Sequence, residues 1–188
     1  MSIPAQEVAA TSQKPHTYQD YCSLPEGSPY QLIGGELVLT PAPGTYHQVV
    51  SMKLELQMAS FVLNHDLGLV LYAPVDVYLG ETETYQPDVV FISRERMPII
   101  EPARINGAPD LVVEILSPAT AYYDLRKKYK TYEKCGVKEY WVVDPEEKSV
   151  QLFTLVGGKF TLDQEAEGEG EIASRVIQGL RISLPSIF

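Results

Sequence analysis

Cysteine is scarce in this chain of 188 residues, with only Cys22 and Cys135 present. Neither has a companion at metal-ligand spacing, which argues against zinc fingers, iron–sulfur clusters and disulfide frameworks. Histidine is nearly as rare: His16, His47 and His65 are the full set, and no two stand at ligand spacing. A His-based metal site is therefore not expected. No run approaches the ~18 apolar residues of a membrane-spanning helix. The opening MSIPAQEVAATSQKPHTY lacks the continuous apolar stretch of a signal peptide. The expected compartment is the cytoplasm, with no membrane association. A Gly-rich phosphate loop is also missing, because GGEL lacks a strand–loop–helix context. Ser117, in LSPAT, has no elbow glycines around it, so neither a serine hydrolase nor an organic cofactor is expected.

Positive charge is short as well. The net charge is −10, whereas nucleic-acid binders usually carry a basic surface. The acid is unevenly spread: Asp163, Glu165, Glu167, Glu169 and Glu171 carry five of the ten excess charges and read as a solvated loop or edge. Conversely, Arg126, Lys127, Lys128, Lys130, Lys134 and Lys138 crowd one short segment, which leaves room for a local basic face. Hydrophobic residues make up 45% and charged residues 21%, ordinary values for globular material.

Residues 1–15 read as a loose tail, and 16–188 as a single domain. Thr17 suits the cap of a short helix ended by Pro25. YQLI and ELVL flank Gly34-Gly35, a pair that suits a tight hairpin turn. From His47 to about Asn64, Val50, Leu54, Met58 and Phe61 or Val62 recur at helical spacing. Three strand-like segments follow: LVLYAPVDVYL, PDVVFIS and PDLVVEILSP. The last two are almost wholly apolar, as strands buried on both faces are. A second helix covers AYYDLRKKYKTYEKCG, with Leu125, Tyr129 and Tyr132 as its apolar stripe and Gly136 as its stop. EYWVVDP is another buried strand, and SVQLFTL–VGG–KFTLD another hairpin. The order predicts an α/β (α+β) architecture: a mixed sheet with helices packed on it.

Within PDLVVEIL, alternation puts Asp110 and Glu114 on one face, with Val112 between them. An ionised glutamate among core residues is prohibitively costly without a partner, so Glu114 needs a cation, a hydrogen-bond donor or a raised pKa. If PDVVFIS lies alongside, Asp88 approaches Glu114. Converging carboxylates are the natural ligands of Mg²⁺ or Mn²⁺. The plainer reading makes Asp88 and Asp110 turn residues after proline. Lys128 stands four residues after Asp124. That is ordinarily a surface ion pair, but this helix starts just beyond the Glu114 strand and its first turns lean back over the strand's end. Glu36 is a further carboxylate candidate, although a strand residue on a wet face is the simpler reading. His47 opens its helix, where an imidazole is commonly a cap or surface group.

The run GAPDLVVEILSPAT…YDLRKKYKTYEKCGVKEYWVVDP, the upstream QPDVVFIS, and GGELVLTPAP followed by His47 together resemble the Uma family of restriction-endonuclease-like proteins. The resemblance spans about Tyr18 to Leu155. It implies a PD-(D/E)xK nuclease fold, a central mixed sheet flanked by helices, with Asp88 as the metal-binding aspartate and Glu114 as the second acid. The motif's lysine position, two residues after Glu114, holds Leu116; the family pattern places the lysine on the following helix, where Lys128 matches. The expected function is Mg²⁺-dependent DNA endonuclease, with Asp88, Glu114 and Lys128 catalytic and Asp110 or Glu36 as an additional ligand. The Ile115 carbonyl would complete the site. DNA would be the substrate and a homodimer would suit cutting both strands. The alternative is a catalytically inactive nuclease-fold module that binds DNA or a protein. A glycosidase acid–base pair is a minor third reading, which needs an exposed aromatic cleft.

Overall fold

A computed structural model describes residues 14–118 and 121–188. Apart from Lys14 and Pro15, the expected tail therefore lies outside the described residues.

The chain opens with a short helix α1 (Tyr18–Cys22), capped by Thr17 through a reciprocal bond with Asp20. The Gly34-Gly35 turn joins β1 (Tyr30–Ile33) to β2 (Glu36–Leu39). The long helix α2 (Thr45–Asn64) buries Val50, Leu54, Met58 and Val62, one residue every turn or so. There follow β3 (Gly68–Tyr72), β4 (Val77–Gly80), β5 (Glu83–Tyr85) and β6 (Val89–Ser93). A 3₁₀ turn over Arg94–Ile99 leads to β7 (Ile105–Asn106) and β8 (Leu111–Ile115). A π-helical turn over Tyr123–Lys128 then runs into α3 (Tyr129–Cys135), which Gly136 ends in the left-handed region. The remainder is β9 (Glu139–Asp144), β10 (Ser149–Val156), β11 (Lys159–Glu167), β12 (Glu171–Ala173), β13 (Arg181–Ser183) and α4 (Leu184–Ile187).

The central sheet has the order β11-β10-β9-β8-β6-β3. It is mixed: β8 and β9 run parallel, with the α3 segment as their crossover, and the other neighbours are antiparallel. One face packs on α2 and the C-terminal elements through Leu111, Val113, Ile115, Trp141 and Val143. The other meets α3 and a second sheet, β2-β1-β5-β4-β7, through Val90, Ile92, Val112, Tyr140 and Val142. Burial on both faces is why β6, β8 and β9 read as unbroken apolar runs.

LVLYAPVDVYL is not one strand. Ala73 still donates to Asp88 O, but Pro74 has no N–H with which to continue the ladder. The chain leaves the central sheet there and resumes as β4 in the second one. Of the acidic stretch, Asp163, Glu165 and Glu167 lie on β11, the outer strand, where exposed glutamates discourage edge-to-edge pairing, while Glu171 opens β12.

Candidate active site

Strands β6 and β8 are antiparallel neighbours, with Val89 opposite Val113. One step further, Asp88 stands opposite Glu114. Asp88 is anchored there: its Oδ2 accepts the Ile115 N–H at 2.7 Å. On β8, Val112 and Glu114 face the α3 side, so the Glu114 carboxylate enters a buried space and is only 3% exposed.

The partners that burial demands are present. Lys128 Nζ lies 3.0 Å from Glu114 Oε1 and 2.9 Å from Asp124 Oδ1, and Lys128 is itself 2% exposed. Tyr132 donates its hydroxyl to the same Glu114 Oε1 at 2.6 Å. Tyr140 donates to the Asp124 carbonyl at 3.1 Å, bracing the π-turn against β9. Burial pushes the Glu114 carboxyl up to about 8; the Lys128 ammonium opposes this, while the charges of Asp124 and Asp88 add to it. For Lys128 burial works downward, and the two carboxylates beside it outweigh that and raise it.

The first turn of α2 supplies His47. Its Nε2 is 3.0 Å from the Ile115 carbonyl oxygen and 3.5 Å from Asp88 Oδ1, while its buried Nδ1 has no partner among the described residues. Burial lowers the His47 pKa, but Asp88 and the Ile115 carbonyl outweigh that, so the imidazole is raised overall.

These groups line a cleft of about 490 Å³ that includes His47, Asp88, Glu114, Ile115 and Lys128. A larger cleft, about 780 Å³, adjoins it and shares Gly27, Ser28, Pro74 and Gln86 as common wall. Asp88, Glu114 and Asp124 share the site with Lys128 and His47, and a hard cation there would favour the ionised form of Glu114 that burial disfavours. Among the described residues, no three His, Cys, Asp or Glu side chains already form a metal cage. The donors that fit a cation are fewer and mixed. Asp88 Oδ1, the second Glu114 oxygen and the Ile115 carbonyl form an oxygen set, which suits an ion that keeps several waters.

The structure brings Asp88, Glu114 and Lys128 together and keeps Asp110 and Glu36 out. Asp110 shares a strand face with Glu114, but four residues of strand put them about 13 Å apart. Its oxygens are held by Arg96 at 3.1 Å, Lys138 at 2.7 Å and the Ser93 N–H at 2.8 Å. Glu36 is exposed and paired with Lys127 at 3.0 Å. His47, read from the sequence as a cap or surface group, stands in the site instead. Asp124 and Tyr132 were visible as an i, i+4 partner and a member of an apolar stripe; nothing in the sequence signalled that both touch the buried pair.

No curated protein matches this sequence. A solved structure from Anabaena variabilis ATCC 29413, described as "a putative nuclease belonging to DUF820", superposes with a TM-score of 0.76 at 21% identity. The alignment covers 93% of this chain and 98% of that one, which shows a shared fold. The sequence also matches Uma2, a family described as "Putative restriction endonuclease", over residues 15–185. That span contains every residue of the cleft just described, and the chain belongs to the Uma2 family.

Proposed function

We propose that this chain is a divalent-metal-dependent nuclease that hydrolyses phosphodiester bonds in DNA. The observation that carries the reading is one cleft wall holding Asp88, Glu114, the Ile115 carbonyl and the buried Lys128 ammonium. Asp88 Oδ1, the free Glu114 oxygen and the Ile115 carbonyl would hold Mg²⁺ or Mn²⁺. Such an ion, when bound, lowers the pKa of a coordinated water and polarises the phosphoryl oxygen.

The chain's own groups do the rest. The Ile115 N–H fixes one Asp88 oxygen and so aims the other into the cleft. Lys128 and Tyr132 saturate Glu114 Oε1 and leave Oε2 for a ligand. With two of its donors used, the Lys128 ammonium keeps a third for the attacking water or a phosphoryl oxygen, where it counters developing charge. The same reading places the protein in the cytoplasm and makes a homodimer the natural arrangement for cutting both strands.

Electron paramagnetic resonance during a Mn²⁺ titration tests the metal site. Saturable binding by the wild type that is lost in Glu114→Gln supports it. The absence of saturable binding, in proteins that melt alike, overturns it. The second reading, a nuclease-fold module that binds DNA or a protein without cutting, is favoured by one observation: Lys128 is already engaged by two carboxylates. Salt-sensitive DNA binding indifferent to metal is its signature.

A further inference from the structure

The larger cleft beside the site has a composition that phosphate would avoid. Glu26, Asp76 and Glu101 line it against a single cation, Arg104, whose guanidinium is already bonded to Glu101 at 3.0 Å. Its floor is a prearranged hydrogen-bonding cluster. Asp76 Oδ1 accepts from the Tyr21 hydroxyl at 2.9 Å and from the Gln86 amide at 2.8 Å, and that amide also reaches the Tyr21 oxygen at 3.3 Å. These bonds fix the amide orientation. They leave Asp76 Oδ2 and Gln86 Oε1, two acceptors without a partner among the described residues. Beside them lie the Tyr21 ring and the apolar side chains of Leu71 and Ile100. A volume of about 780 Å³ is in the range of small-molecule sites.

Adjacent acceptors next to an aromatic wall fit a flat, donor-rich ring. Gln86 precedes Asp88 by two residues, so their backbones are at most about 7 Å apart. A base entering this cleft would thus belong to a nucleotide whose phosphate lies at Asp88 and Lys128.

We propose that this cleft is a nucleobase subsite for an unpaired guanine adjoining the bond to be cut. Guanine is the base whose Watson–Crick edge offers the ring N1–H and the exocyclic 2-amino group side by side. Asp76 and Gln86 accept those donors, and the Tyr21 ring stacks on the base face, an interaction that single-strand-binding proteins use. The base must leave its stack to enter, so the preferred substrates are single-stranded, mismatched or frayed DNA. This inference deepens the nuclease reading and rests on it for the position of the phosphate.

Fluorescence anisotropy without metal separates the two. The probes are short labelled single-stranded oligonucleotides that carry one guanine, or inosine or adenine in its place. Inosine lacks only the 2-amino group. Guanine is expected to bind about tenfold tighter than inosine, in line with the worth of a good base-edge contact. Asp76→Asn, which keeps an acceptor for Tyr21, is expected to erase that preference, and Glu114→Gln to leave it intact. Equal binding of all three probes by the wild type overturns the subsite, whether or not the protein cuts DNA. A guanine preference without metal-dependent cleavage sustains the subsite and overturns the nuclease. Binding of no probe overturns the subsite as well.

Discussion

At the scale of single residues, the two buried acids of β8 have opposite fates. Asp110 is fully buried, and although burial works against its charge, Lys138, the Ser93 N–H and Arg96 together hold its pKa below the usual carboxylate range. A depressed folded-state pKa stabilises the fold above the unfolded value of about 4, and that contribution is lost as pH falls through the folded one. Asp110→Asn is therefore expected to cost about 2 kcal/mol at pH 7. In urea denaturation the gap from wild type should narrow below about pH 4. A gap independent of pH would contradict the assignment. Lys128 is the other case. Sequence alone suggests that Lys128→Ala removes catalysis and spares the fold, but the side chain neutralises two buried carboxylates. Removing one partner of a buried pair costs about 3–5 kcal/mol, so thermal denaturation should show Lys128→Ala clearly destabilised. A melting temperature equal to wild type would place Glu114 and Asp124 in contact with water.

At the scale of elements, the segment leading into α3 explains both what the sequence told and what it hid. Glu114 was legible because a glutamate inside an apolar run has few physical solutions. Asp88 followed once two Pro-Asp strands were read as neighbours. The stripe Leu125, Tyr129, Tyr132 assumed 3.6 residues per turn. The π-turn over Tyr123–Lys128 widens the helix, turns Asp124 and Lys128 inward and leaves Leu125 42% exposed. Periodicity cannot see a change of period. Leu125→Lys should accordingly change stability by no more than about 0.5 kcal/mol, whereas the original stripe would make it a costly core substitution. Proline chemistry likewise hid β4: a run that reads as one strand divides between two sheets at Pro74. Gly68, with φ at +147°, opens β3 where a Cβ would meet the Ile92 carbonyl oxygen at 2.1 Å. Gly68→Ala is expected to destabilise by at least about 2 kcal/mol in denaturant titration, through strain and the loosened β3–β6 pairing.

At the scale of the whole molecule, the mixed sheet brings residues 47, 88, 114, 115 and 128 to one cleft, a convergence no local pattern encodes. Among the described residues no helix is long and apolar enough to cross a membrane. On the proposed nuclease reading, the net charge of −10 limits how DNA would be held: few phosphates would meet cations, so affinity should fall with salt at a log–log slope no steeper than about −3. Specificity would then rest on the cleft itself, through the proposed metal, Lys128 and base contacts. The most direct test of that account is the Mn²⁺-dependent cleavage of single-stranded circular DNA, with supercoiled plasmid alongside, by wild type and by Glu114→Gln. Cleavage that chelation abolishes and that falls at least about 100-fold in the variant is the predicted result. Absence of cleavage by the wild type, or equal cleavage by both, would contradict it.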